Sequence, residues 1–282
     1  MKTLFILSSQ RSGSNWLHRC LNEHPDVRIN GELMPSEMLA TLAAIRSGDV
    51  VSNAKLNEQD SFANAARQYV DYMIEQNLLG LERDVTAVSY KVDKSAYPCV
   101  RSIRRHPAQL EYMQLLKIYF PEAKKILILR DPRDVLVSFS EWKGQSTGSL
   151  LRYSPKSIYY FVRHIRNWFI LNSRWVSDCA EDDNCFVLKY SEMKEDFEGS
   201  IDRVLKFLGL SSRQEFIDYL RDNFYKIDSD KYKEENEARG YGFFRKGEVG
   251  EWREKFKLAH RVIYLWMVLT RGRALKMLMS DL

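Results

Sequence analysis

Cysteine is scarce and unpatterned in this chain. The four cysteines in 282 residues, Cys20, Cys99, Cys179 and Cys185, form no Cys-x-x-Cys pair, and the five histidines have no partner at metal-ligand spacing. That argues against a structural metal site and against a disulfide-stapled scaffold. Cys179 and Cys185 are spaced to bridge a turn, but with so few cysteines all four are expected as free thiols of a reduced, cytoplasmic protein. Long apolar runs are also lacking. The longest, 262–269, holds eight residues between Arg261 and Arg271, which is too short to span a bilayer. It reads as a packed C-terminal helix, with a peripheral membrane role for that basic, Met-rich end as the lesser reading. The N-terminus offers one Lys and five mostly apolar residues before Ser8, too few for a signal-peptide core, so no export is expected. Nor does one sign of charge dominate. Lys plus Arg number 43 against 38 Asp plus Glu, a net +5 without a basic cluster, so no nucleic-acid partner is expected and a small anionic ligand fits as well. No repeat or low-complexity tract interrupts the chain. With 45% apolar and 12% aromatic residues it can bury a large core, and one α/β domain over 1–282 is the simplest division.

What is present is concentrated first in residues 4–32. An apolar run over 4–7 suits a buried parallel strand, and Ser8-Ser9-Gln10-Arg11-Ser12-Gly13-Ser14-Asn15 makes a polar loop. Trp16, Leu17, Cys20 and Leu21 then recur at helical spacing. A helix N-terminus facing out of such a loop presents unpaired N–H groups to an anion, and Gly13 lets backbone approach it. Arg11 adds fixed charge and Ser12 a hydroxyl. An ordinary strand-to-helix turn with a surface Arg is the plain alternative. The loop is not a Walker A, which needs two glycines and Gly-Lys-Ser/Thr, whereas one Gly precedes Ser14 and Asn15 here and no Lys follows.

Further along, 27–30 reads as a second short strand, after which Gly31-Glu32 returns the chain beside the loop's mouth, so Glu32 is expected to face the site. Residues 36–80 are mainly helical with a polar break around 47–55, and are expected to cover an acceptor pocket. Residues 85–91 alternate as a strand ending in Lys91-Val92-Asp93, at the carboxyl end where open α/β sheets bind ligands. A solvated strand end is the other reading of Lys91. A helix is expected over 107–119 and a buried strand over 125–129, followed by Arg130-Asp131-Pro132-Arg133-Asp134 and a helix carrying Ser138. Arg130 and Ser138 are then close enough to share a phosphate, although Arg130 as a salt-bridge partner is the plain alternative. A long aromatic helix over 155–176, a strand over 185–190 and helices over 201–208 and 216–219 continue the alternation. Residues 231–240 form a charged run without apolar period, expected as a mobile loop that acts as a lid.

Arg-Ser-Gly after the first strand, Arg130-Asp131-Pro132-Arg133-Asp134 with Ser138, and Arg245-Lys246-Gly247 with Gly250-Glu251-Trp252 occur here in one order. Together they resemble the sulfotransferases that use 3′-phosphoadenylyl sulfate (PAPS), over roughly 4–256. The resemblance implies an α/β, P-loop NTPase-like single domain with a central parallel sheet flanked by helices. It implies PAPS as co-substrate, PAP as product and no metal. Residues 9–16, with Arg11, Ser12, Gly13, Ser14 and Asn15, would hold the 5′-phosphosulfate, Arg11 standing where many cytosolic members have Lys. Arg130, Ser138, Arg245, Lys246 and Gly247 match the family's 3′-phosphate ligands, and Trp16, Tyr190 and Phe243 its adenine-side contacts. The family's Lys-Thr-His appears as Lys91-Val92-Asp93, which leaves no histidine base there. His24-Pro25-Asp26-Val27 followed by Glu32 resembles members that use a glutamate, so Glu32 is the expected base, with Asp93 and His18 in reserve. The implied partner is a small soluble acceptor, with homo-oligomerisation open. A P-loop kinase and a non-catalytic nucleotide-binding protein are the alternatives.

Overall fold

The apolar run near the start forms β1 (Lys2–Ser9), a strand buried at every position after Lys2. Its side chains alternate between two cores: Leu4 and Ile6 join one cluster, Phe5 and Leu7 the other. A strand buried on both faces needs a layer of helices on each side, and each such side chain contributes roughly 1.5–3 kcal/mol by leaving water. In this computed structural model the described residues are 2–29, 35–47, 59–78, 89–97, 107–147, 151, 154–225 and 247–270.

Among the described residues five strands make one sheet in the order β2-β3-β1-β4-β5, with β2 at Val27–Ile29, β3 at Tyr90–Tyr97, β4 at Lys124–Leu129 and β5 at Cys185–Lys189. Every pairing is parallel. The helices are α1 (Ser14–Asn22), α2 (Ser36–Ser47), α3 (Gln59–Leu78), α4 (Tyr112–Tyr119), α5 (Pro132–Thr147), α6 (Pro155–Ala180), α7 (Tyr190–Glu195), α8 (Phe197–Leu208), α9 (Gln214–Leu220), α10 (Trp252–Lys255) and α11 (Leu258–Thr270). Leu17 and Leu21 of α1 and Ile201 and Leu205 of α8 cover one face. Val70 of α3, Leu116 of α4, Trp168 of α6 and Met267 of α11 belong to the core on the other. This is the α/β architecture expected, with a central parallel sheet between helical layers.

Local chemistry sets several boundaries. Ser154 caps α6, its hydroxyl accepting from the Ser157 amide, and Pro155 occupies the first turn. Asp196 caps α8 through the Gly199 amide, and Gly209 closes that helix at φ 67°. The helix expected over 107–119 is divided into a 3-10 turn, Pro107–Gln109, and α4.

Two expectations need correction. Cys179 and Cys185 form a disulfide with Cα atoms 5.3 Å apart, so they are not free thiols. A tight turn makes this possible: the Asp182 amide donates to Cys179 O and the Cys185 amide to Asp182 O, folding the end of α6 onto the start of β5. Among the described residues Cys20 is free and buried. The helix at the C-terminus exists, but only part of its apolar surface packs. Tyr264 and Met267 are buried while Val262, Leu265, Trp266 and Leu269 are exposed. Among the described residues no helix is long and apolar enough to cross a membrane.

Candidate active site

Two loops leave the carboxyl ends of adjacent strands in opposite directions. The connection after β1 runs toward β2 on one side, and that after β4 runs toward β5 on the other. This is the switch point at which a doubly wound sheet opens a crevice. Gly13 (φ 95°) and Arg11 (φ 69°) take left-handed backbone in the first loop. For arginine that conformation is strained, as is common where a loop is shaped for a ligand. A Cβ at position 13 would lie 2.5 Å from the Tyr190 ring, so glycine is required for close packing as well as for φ. Helix α1 starts at Ser14; the Trp16 and Leu17 amides donate to Gly13 O at its cap, while those of Ser14 and Asn15 precede the first intrahelical acceptor. The buried Ser12 hydroxyl lies 2.6 Å from that of Ser9 and fastens the loop to the strand end.

Arg130 follows β4 and is almost wholly buried. Its Nη1 donates to Arg11 O and its Nη2 to Glu248 O, each at 3.0 Å. Its guanidinium lies 4.3 Å from the centre of the Tyr190 ring, and Tyr190 in turn donates its hydroxyl to Gly247 O at 2.8 Å. Nε of Arg130 is buried without a hydrogen-bond partner among the described residues. From the first loop, Arg11 Nε donates to Ser138 Oγ at 3.1 Å, joining the β1 loop to the second turn of α5. The last segment is tied down by Asp134, whose carboxylate accepts from the amides of Gly250 (2.7 Å) and Trp252 (3.1 Å). Burial pushes the Asp134 carboxyl up from its ordinary range, against those two hydrogen bonds. Arg133, bonded to Asp131, stacks over Trp252 at 3.8 Å and holds the same corner. The structure therefore brings together Arg11, Ser12, Gly13, Ser14, Asn15, Arg130, Ser138, Tyr190 and Gly247. Trp16 stands beside them, edge-on to Tyr190 and stacked with Phe197 and Tyr225. Glu32, Phe243, Arg245 and Lys246 lie outside the described residues, as does the charged run over 231–240.

Lys91 and Asp93 are elsewhere. Their strand begins at Tyr90 and runs to Tyr97, so Lys91 stands opposite Thr3 and Asp93 opposite Phe5, while the mouth is at Ser9 and Tyr97. At about 3.3 Å per residue, Lys91 is roughly 20 Å and Asp93 roughly 13 Å short of the carboxyl edge. Lys91 Nζ pairs with Asp71 of α3 at 3.0 Å. The expectation that this pair ends a strand at the ligand edge is thus overturned, and with it the geometric ground for giving either residue a catalytic part. The lysine that reaches the loop is Lys94, which the sequence reading missed. It is buried on the opposite face of β3 and donates to Asn15 Oδ1. Its one sequence signal is register, since Lys94 shares parity with the apolar Val92 and precedes the strand end at Tyr97 by three residues. His18, one turn into α1, has its pKa lowered to about 4 by burial, with Lys94 and Arg19 adding repulsion. It is neutral at neutral pH and a weak base.

A family model described as the sulfotransferase family matches residues 3–215. The chain belongs to the sulfotransferase family. Sulfotransferase 2A1 of Rattus norvegicus is 30% identical over 161 residues, covering 50% of this chain and 54% of that protein. The 3-beta-hydroxysteroid sulfotransferase of Cavia porcellus is 30% identical over 157 residues, 49% of this chain and 52% of its own length. The chain thus aligns with about half the length of the curated relatives it matches. Among solved structures, mouse sulfotransferase SULT7A1 complexed with PAP superposes with TM-score 0.55 at 15% identity, over 100% of this chain and 89% of that one. The sulfotransferase domain of the Synechococcus PCC 7002 olefin synthase gives TM-score 0.50 at 18% identity, over 94% of each chain. At those identities they establish that this chain shares their fold. The family match spans the β1 loop, Arg130, Ser138 and Tyr190, and ends before the segment clamped by Asp134.

Proposed function

We propose that this chain is a PAPS-dependent sulfotransferase that moves the sulfuryl group to a hydroxyl or amine of a small soluble acceptor. The observation that carries the reading is Arg130, a buried guanidinium at the switch point with one N–H unpartnered among the described residues. A buried charged donor left unpaired is costly, and an anion relieves that cost. Family membership, and the PAP with which SULT7A1 is complexed, support PAPS as that anion. The residues fit such a donor in two groups. The α1 amides, Arg11 and Lys94 stand at the β1 loop, suited to the 5′-phosphosulfate. Arg130 and Ser138, with Arg245, Lys246 and Gly247 from the last motif, would take the 3′-phosphate.

In the transfer, the acceptor oxygen or nitrogen forms a bond to sulfur as the bond from sulfur to the 5′-phosphate oxygen breaks. The electron pair leaves on that phosphate, and the acceptor proton goes to Glu32. The cations and loop amides stabilise the departing phosphate charge. The resemblance of His24-Pro25-Asp26-Val27 followed by Glu32 to members that use a glutamate supports this role. Purified protein given PAPS labelled in the sulfuryl group and a panel of hydroxyl and amine acceptors should transfer label, with or without EDTA. Glu32→Gln should keep PAP affinity and lose about 10²-fold in turnover. Absence of transfer to every acceptor would sink the reading, and turnover by Glu32→Gln within a few-fold of wild type would place the base elsewhere.

A further inference from the structure

The C-terminal helix α11 is mounted firmly on one side and bare on the other. His260, Tyr264 and Met267 are buried in the core, and Arg133 of α5 lies 4.9 Å from the Tyr264 ring, so the rotation of the helix about its axis is fixed. On the outer side Leu258, Val262, Leu265, Trp266 and Leu269 are each more than half exposed, from 57% to 76%. At 100° per residue these five fall within an arc of about 100°. A contiguous apolar stripe of this kind, with an indole along one edge, marks an interaction surface rather than scattered exposure.

We infer that this stripe docks the protein onto an anionic lipid surface, α11 lying in the plane of the membrane interface. Charge selects the occupant. From Leu258 to Ser280 the sequence has Arg261, Arg271, Arg273 and Lys276 and no Asp or Glu, in a protein whose whole net charge is +5. An apolar stripe bordered by Arg261, in a segment whose sequence from Leu258 to Ser280 carries basic charge alone, matches an anionic bilayer, whose acyl boundary takes the stripe. A second copy presenting the same face would set like charges together. Arg261 borders the stripe and is held there by its Nε bond to Phe256 O at 3.2 Å. The tryptophan suits the headgroup level, where an apolar ring with one polar N–H is favoured. Docking in this manner needs no membrane-crossing helix.

The test is co-sedimentation of the full chain with vesicles of phosphatidylcholine containing phosphatidylglycerol, against vesicles of phosphatidylcholine alone, at low and high salt. Wild type should bind the anionic vesicles and release at high salt. The Leu265→Glu/Trp266→Glu double variant should bind roughly tenfold less or weaker still, with an unchanged far-UV circular dichroism spectrum. Should the double variant lose its fold, Leu269→Glu repeats the test with one exposed change. Wild type failing to bind anionic vesicles, or a folded variant binding as wild type does, overturns the inference. So does a concentration-dependent dimer that the variant dissolves without any vesicle binding, which would assign the stripe to a second copy.

Discussion

Lys91 and Lys94 sit on one strand, three residues apart, and their side chains therefore enter opposite layers. Lys91 bonds Asp71 of α3, which also accepts from the Thr3 hydroxyl at 2.9 Å, while Lys94 bonds Asn15 at the anion loop. The two should fail differently. Lys91→Met leaves Asp71 without its cation and should cost about 1–3 kcal/mol of stability with little change in turnover per folded molecule. Lys94→Met should leave stability nearly as it was and lower turnover roughly tenfold or more, as expected for a cation beside a leaving phosphate. Denaturant titration with steady-state rates on both variants checks this. The reverse pattern, turnover lost with Lys91 and retained without Lys94, would return the catalytic lysine to the amino end of the strand. The same pair shows what side-chain type leaves hidden. A buried Lys and Asp in the middle of a parallel strand look, in one dimension, like a charged strand end, and only the partner on α3 distinguishes them.

The elements most legible in the sequence are those whose apolar pattern has one interpretation. β1 and β4 fall where the apolar run puts them, α8 ends at Leu208 as expected but begins at Phe197 behind its Asp196 cap, four residues before the expected start at 201, and Pro132 and Pro155 mark helix starts because proline tolerates the first turn. β3 lies later than its pattern suggests because alternation over 85–91 imitates a half-buried strand, whereas the strand itself is buried on both faces and interrupts its pattern with paired charges. α6 runs four residues beyond its expected end at 176, to Ala180, where the 182–185 turn and the disulfide close it, a constraint no helical period encodes. The segment after Gly247 depends on another such constraint, the Asp134 clamp at the start of α5. Simple charge counting says that removing a carboxylate near a phosphate site should tighten anion binding. The clamp says the opposite. Asp134→Ala should weaken PAP binding and speed hydrogen exchange at Gly250 and Trp252, while α5 itself stays protected. Tighter PAP binding by the variant would show that the carboxylate acts only through its charge.

Over the whole molecule, the site exists because three stretches far apart in sequence meet at one edge of the sheet. Arg130 donates to Arg11 and to Glu248, residues 119 and 118 positions away, and Tyr190 packs on Gly13 while holding Gly247. The order of the motifs along the chain is readable in the sequence. Their meeting follows from the strand order, which puts β4 beside β1 and β5 beside β4. The central claim is that this convergence recognises a nucleotide by its 3′-phosphate. Isothermal calorimetry of PAP and of adenosine 5′-monophosphate, on wild type and on Arg130→Ala, tests it most directly. Wild type should bind PAP far more tightly, and Arg130→Ala should lose about 10–100-fold of PAP affinity, corresponding to about 1.5–3 kcal/mol for a charge-assisted bond, with much less change for the monophosphate. Equal losses for both nucleotides, or no preference for PAP in wild type, would contradict the account.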